Sequence, residues 1–140
     1  MIWNKNVAHK MGIVVFVCIL GILPSACSKE QALPKNASLL FEKTKHDFGE
    51  IPRKKEASVT FNFENTSEYP LVISDVKTTC GCAAPKWPKE VVLPSEKKAI
   101  TVTYDAEYPG RFNKTITVFY NGQDSPTQLT IKGQVPYPNN

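Results

Sequence analysis

Cys80-Gly81-Cys82 is the segment of this 140-residue chain whose residue types and spacing can do chemistry. Two thiols two positions apart can close a disulfide, cycle as a thiol–disulfide couple, or chelate a soft ion such as Cu(I) through two thiolates. In a straight strand, residues i and i+2 share a face but lie at or beyond the roughly 4.4–6.8 Å Cα separation that a disulfide spans. A tight turn at Gly81 is expected to bring them into range. So small a ring adds little chain-entropy stabilisation, because that benefit grows with loop length. Lys77, Lys86 and Lys89 are the nearby cations that favour thiolates, but no helix N-terminus is expected there to assist them. A closed zinc site takes four ligands, and His46 is the one histidine after residue 26, so zinc held by a single chain is not expected. His46 is expected instead to hydrogen-bond within its own strand. Trp87, between Lys86 and Pro88, reads either as a strand-edge cover or as an exposed aromatic platform for a ligand.

The compartment decides how such thiols behave, and the N-terminus speaks to it. Lys5, His9 and Lys10 form a basic head, and Met11 to Leu23 is an uncharged, mostly apolar run of thirteen residues. A bilayer span takes about 20 residues; thirteen suit the h-region of an export signal. Pro24-Ser25-Ala26 ahead of Cys27 resembles a bacterial lipobox, with Pro24 where leucine is usual. The expectation is a lipoprotein signal peptide over 1–26, a diacylated Cys27, and a tether over 27–37. An ordinary signal peptide cut near Ala26 is the alternative. Ser28-Lys29-Glu30 resembles the charged export tag of some surface lipoproteins. Cys18 leaves with the peptide, so Cys80 and Cys82 remain as an isolated pair. The expected location is a bacterial cell envelope, lipid-anchored at the outer membrane, facing the periplasm or the cell surface. Disulfides persist there.

Charge narrows the partners. Removing residues 1–26 takes Lys5 and Lys10 and no acid, leaving 15 basic against 13 acidic residues, a net +2. That balance argues against nucleic acid, where a basic face dominates. Arg53-Lys54-Lys55 beside Pro52 reads as a solvated loop.

The 113 residues after Cys27 suffice for one domain. They alternate with period two and show no helical periodicity. Val59, Phe61 and Phe63 alternate with polar neighbours, as do Ile100, Val102 and Tyr104, then Ile116, Val118 and Tyr120, then Leu129 and Ile131. Turn chemistry separates these runs at Asn65 to Pro70, Leu93 to Glu96, Tyr108-Pro109-Gly110 and Asn121-Gly122. Leu71 to Val76, apolar at several successive positions, reads as a central strand covered on both faces. With Leu39 to Phe41 and Phe48, the pattern predicts an all-β domain over 38–140, an antiparallel immunoglobulin-like sandwich of seven to eight strands. A small barrel is the structural competitor.

Several motifs then sharpen the picture: His46-Asp47-Phe48-Gly49-Glu50-Ile51, Phe63-Glu64-Asn65-Thr66-Ser67, Thr79-Cys80-Gly81-Cys82, Pro85-Lys86-Trp87-Pro88, Gly110-Arg111-Phe112-Asn113-Lys114 and Leu129-Thr130-Ile131-Lys132-Gly133. In this order they resemble a bacterial family of exported, mostly lipidated proteins classed as a domain of unknown function, itself similar to Hydin-like and PapD-like sandwich modules. Ala83 and Ser95 depart from it, where family members commonly carry Thr and Gly. The resemblance implies architecture and location, with no established activity. It makes an interaction or structural module the leading expectation, with an unidentified protein partner. A thiol-redox or copper-handling protein is the alternative. No phosphate loop, His-Glu-x-x-His or nucleophile elbow nominates an enzyme. Asp47, Asp75 and Asp105 fall at strand ends, where turn-capping or solvated carboxylates are ordinary.

Overall fold

The computed structural model describes residues 34–138. Cys27 and the predicted signal peptide lie outside the described residues. Eight strands follow in chain order: β1 (Leu39–Phe41), β2 (Lys45–Glu50), β3 (Glu56–Asn65), β4 (Ile73–Thr78), β5 (Ala83–Lys86), β6 (Lys97–Asp105), β7 (Gly110–Tyr120) and β8 (Thr127–Val135). They form two four-stranded sheets, ordered β1-β3-β6-β5 and β2-β8-β7-β4.

The alternating runs form the facing sides of the sandwich. Phe61, Ile100, Val102, Ile116, Val118, Leu129 and Ile131 are fully buried between the sheets, while their strand neighbours face outward. Burying each such side chain stabilises the fold by roughly 1.5–3 kcal/mol. Tyr104 stacks on Phe112 with ring centroids 3.8 Å apart, and burial raises the Tyr104 phenol pKa.

Three features differ from the sequence reading. The second sheet is mixed, because β2 runs parallel to β8, with Lys45 opposite Thr130 and His46 opposite Ile131. The segment Leu71 to Val76 is not a central strand: β4 begins at Ile73 and forms an edge of its sheet, while Leu71 makes an isolated bridge to Val92. The register of β4 on β7 shifts between Ile73 and Asp75. An extra residue in a strand moves the inward positions from two apart to three. Ile73 and Val76 therefore both point inward. Finally, β5 carries no alternating pattern and exists through its pairing with β6. Pro85 is tolerated there because β5 is an edge.

Two edge strands change sheet halfway along the sandwich. After Phe41 the chain leaves β3 and joins β8 as β2; after Thr78 it leaves β7 and joins β6 as β5. The Asp-Phe-Gly motif then builds a bulge within β2. Gly49 has φ 65 at a register shift between Asp47 and Glu50, in the left-handed region that glycine adopts without strain. Its N–H donates to Asp47 Oδ1 at 2.9 Å, and Asp47 also pairs with Lys132 at 3.1 Å. Those two contacts hold the Asp47 carboxyl below its ordinary pKa, the Gly49 bond first.

At one end of the sandwich two asparagines gather the loops. Asn65, fully buried, donates its amide to the carbonyls of Tyr69 (2.8 Å) and Val92 (3.0 Å) and accepts from Ser67 N–H and O–H. Asn121 donates to the carbonyls of Pro70 and Pro34 and accepts from Val72 N–H. Ala37 is buried and bridges to Gly122. Residues 34–37, counted with the tether in the sequence, are thus tied to the folded body.

Candidate functional site

The Cys80-Gly81-Cys82 segment is the crossover by which the chain passes from β4 in one sheet to β5 in the other. Its two sulfurs are bonded, with Cα atoms 5.3 Å apart. Both ends are fastened. Thr79 N–H donates to Thr115 O of β7 at 3.2 Å, and Asp105 N–H at the end of β6 donates to Cys82 O at 2.9 Å. Thr78 Oγ1 donates to Cys80 O at 2.7 Å. Cys80 and Cys82 are half-buried and pack against the core. They are neither sealed inside nor displayed at a loop tip.

The expected tight turn at Gly81 forms and brings the pair into range, but it does not use a positive φ. The glycines in the positive-φ region are Gly49 and Gly110, and a Cβ placed on Gly81 would meet no atom within 4 Å. The bridge closes without the special freedom of glycine. Gly133 is the opposite case. A Cβ there would stand 2.7 Å from Phe112 Cζ and 2.9 Å from Gly49 O.

The other predicted residues lie apart from the pair or serve the core. His46 sits on β2, and β2 and β4 are opposite edges of one sheet, three strand spacings or about 14 Å apart. Its ring meets Phe48 edge-on at 4.5 Å, an aromatic contact in place of the expected hydrogen bond. Trp87 follows β5 and packs half-buried on the core. The Lys89 ammonium lies 3.1 Å from its ring centroid, so one ring face is already occupied. Beyond it, Lys98 binds Glu96 (3.0 Å) and Glu90 (3.3 Å), and Glu96 accepts Leu93 N–H at 2.8 Å. The Leu93 N–H first and Lys98 second lower the Glu96 pKa, Glu90's own backbone N–H first and Lys98 second lower that of Glu90, and Glu96 and then Glu90 raise that of Lys98. Among the described residues no group of three or more His, Cys, Asp or Glu side chains converges as a metal site. Two-sulfur chelation of Cu(I) would require the bridge to be reduced first.

The sheet switches create a second feature that sequence reasoning missed. Along a strand, backbone N–H and C=O groups alternate between the two neighbours. Thr115 O faces β4 by its bond from Thr79. On β8, Thr130 N and Gln134 O bond toward the β2 side, so Ile131 and Gly133, opposite Lys114 and Phe112, face β7. Both observations turn the backbone groups of Arg111 and Asn113 away from β8. Since β4 reaches only to Ile116 opposite Thr78, those groups look onto an open half-edge. On the other sheet, Glu42 N–H bonds Asn62 O, and β1 pairs only with Phe63 to Asn65. Ser58 and Thr60 are thereby left on a second open half-edge.

A family model described as Protein of unknown function (DUF1573) matches residues 39–135. The chain belongs to the DUF1573 family. No curated protein matches it. Among solved structures, the DUF1573 chain is similar to a protein of unknown function from Porphyromonas gingivalis W83, at 15% identity and TM-score 0.64 over 74% of this chain and 49% of that one. It thus spans about half the length of that relative. It is similar to PapD-like domain 7 of human CEP192 at 8% identity and TM-score 0.63, over 85% of this chain and 99% of that domain. It is also similar to the Pseudomonas aeruginosa CupB2 chaperone at 12% identity and TM-score 0.50, over 69% and 55% of the two chains. At these identities the likeness establishes the PapD-like, immunoglobulin-like fold alone.

Proposed function

We propose that this DUF1573 protein is a lipid-anchored module of a bacterial cell envelope that binds another protein through an open sheet edge. The observation that carries this reading is the pair of half-edges left by the sheet switches. Unpaired backbone groups on a rigid sandwich add a partner's strand, and natural proteins otherwise cover or blunt such edges. The likeness of fold to a chaperone, a protein whose work is to hold another chain, supports it by analogy. Anchoring rests on Cys27 after the apolar run Met11 to Leu23. An acyl-bearing cysteine there would leave Ser28 to Leu33 as the link to the folded body, at most about 3.6 Å per residue.

Two measurements test the two halves. In a Gram-negative host fed radiolabelled palmitate, the chain is expected to take up label and Cys27→Ser to take up none; an exported, unlabelled wild type sinks the anchor. A photo-crosslinking residue at Thr60 or Asn113 is expected to give discrete adducts with an envelope protein in intact cells. Silence at both positions sinks binding through the two half-edges, whatever the palmitate result.

A further inference from the structure

The two half-edges are not equivalent. The one on β3 is flanked by the β1–β2 crossover, where Lys43 Nζ lies 6.0 Å from the Phe61 ring. The one on β7 borders a depression of about 490 Å³ on the outer face of β2, β8 and β7, lined by Asp47, Glu50, Arg111, Asn113, Lys132 and Gln134. Arg111 and Asn113 therefore belong to both features: their backbone groups face the open edge, and their side chains line the depression. The charges lining the depression balance, Asp47 and Glu50 against Arg111 and Lys132, but they are not all paired. Lys132 is neutralised by Asp47, and Lys77 on β4 by Asp75. Among the described residues no carboxylate pairs with Arg111, which is exposed. Glu50 stands across β8 from Arg111, two strand spacings or about 10 Å away, whereas a strand laid along the open side of β7 would lie about 4.8 Å from Arg111, so its neighbouring side chain would meet an unpaired cation.

We propose that the β7 half-edge at Arg111 and Asn113 receives an extended peptide segment bearing an acidic side chain, added antiparallel to β7 in line with β4. This deepens the protein-binding reading above and rests on it. The backbone groups of Arg111 and Asn113 each exchange a pair of hydrogen bonds with the incoming segment, in the register Thr79 uses with Thr115. The half-edge also lies at the opposite end of β7 from Pro34. Pro34 is held by Asn121 beyond the last residue of β7, and Arg111 is the second residue of that strand. The strand between them spans about 30 Å at roughly 3.3 Å per residue.

The test is a display library of cysteine-free random octapeptides, panned against the full-length protein with its bridge intact. Enriched peptides are expected to alternate β-branched or aromatic residues with at least one Asp or Glu. Asn113→Pro removes an N–H directed at the edge, so no β7–β8 bond is lost. It is expected to weaken those peptides by at least about tenfold, the loss of one hydrogen bond or more, while Asn113→Ala binds as wild type. Arg111→Glu is expected to prefer peptides with Lys or Arg in place of the acid. Should Asn113→Pro misfold by circular dichroism, this charge reversal decides alone. An unenriched library overturns the proposal, as do peptides that bind Asn113→Pro like wild type or ignore Arg111→Glu. Crosslinks at Thr60 with none at Asn113 would overturn it too, while leaving the broader binding reading intact.

Discussion

Asn65 makes four hydrogen bonds with its side chain and shows no surface to solvent. Both amide protons go to carbonyls of different loops, so one residue fixes the turn after β3 and the segment before β6. A carboxylate in the same place has no proton to donate and faces two carbonyl oxygens. Asn65→Asp is expected to destabilise the fold by about 3 kcal/mol, the scale of leaving buried charge-bearing and carbonyl groups unsatisfied, read from the midpoint of urea unfolding. A pair of glycines gives a contrast at the same scale. Gly81→Ala adds a methyl to open space at an ordinary φ, and should leave stability unchanged or raise it by up to about 1 kcal/mol. Gly133→Ala drives a methyl against Phe112 and the Gly49 carbonyl and should cost about 1–3 kcal/mol. The same denaturation series separates them. Equal effects would mean that the crossover is as tightly packed as β8.

The Asp47-Phe48-Gly49 motif works as an element rather than as a reactive group. It kinks β2 so that Asp47 meets both Gly49 and Lys132, and Phe48 packs on Phe112 with centroids 6.3 Å apart. A carboxyl whose pKa is lower in the folded state binds protons preferentially in the unfolded state, so it favours folding at high pH. The contributions of Asp47, Glu90 and Glu96, all lowered, are therefore present above the ordinary carboxylate range and lost as pH falls below about 4. Thermal midpoints are expected to be flat from about pH 5 to 8 and to drop below that, with a shallower acid limb in Asp47→Asn. An unchanged limb would mean that solvent and salt already screen the Asp47 contacts. Element by element, the sequence was legible wherever period two held. The inward faces of β3, β6, β7 and β8 were read correctly. The bulge in β4 broke the period and made an edge strand look central, while β5 had no period to read. Asn65 was legible as a turn residue but not as a hub, because Val92, one of its partners, is 27 positions away.

Over the whole molecule, the two sheet switches divide the sandwich into halves with different strand neighbours, and only the second switch carries a covalent bridge. The open half-edges were invisible in the sequence for this reason: they depend on where two strands stop pairing, and pairing length is set by partners elsewhere in the chain. The bridge itself contributes little to the unfolded-state entropy. A three-residue ring gives about 1.6 kcal/mol at 25 °C, against about 4.7 for a hundred-residue loop. The crossover is held independently by Thr79 to Thr115 and by Asp105 to Cys82, and β5 remains paired with β6 over Ala83 to Lys86. The double variant Cys80→Ser, Cys82→Ser is therefore expected to fold to the same structure and to lose only about 1–2 kcal/mol. Wild type titrated with graded glutathione buffers should lose the same amount on reduction, with amide exchange in β4 and β5 rising locally and the core strands remaining protected. Global unfolding of the double variant would show instead that the second switch depends on the covalent link. A midpoint near the periplasmic glutathione poise, or stoichiometric Cu(I) uptake by the reduced protein, would make the crossover a reactive centre and return weight to thiol chemistry.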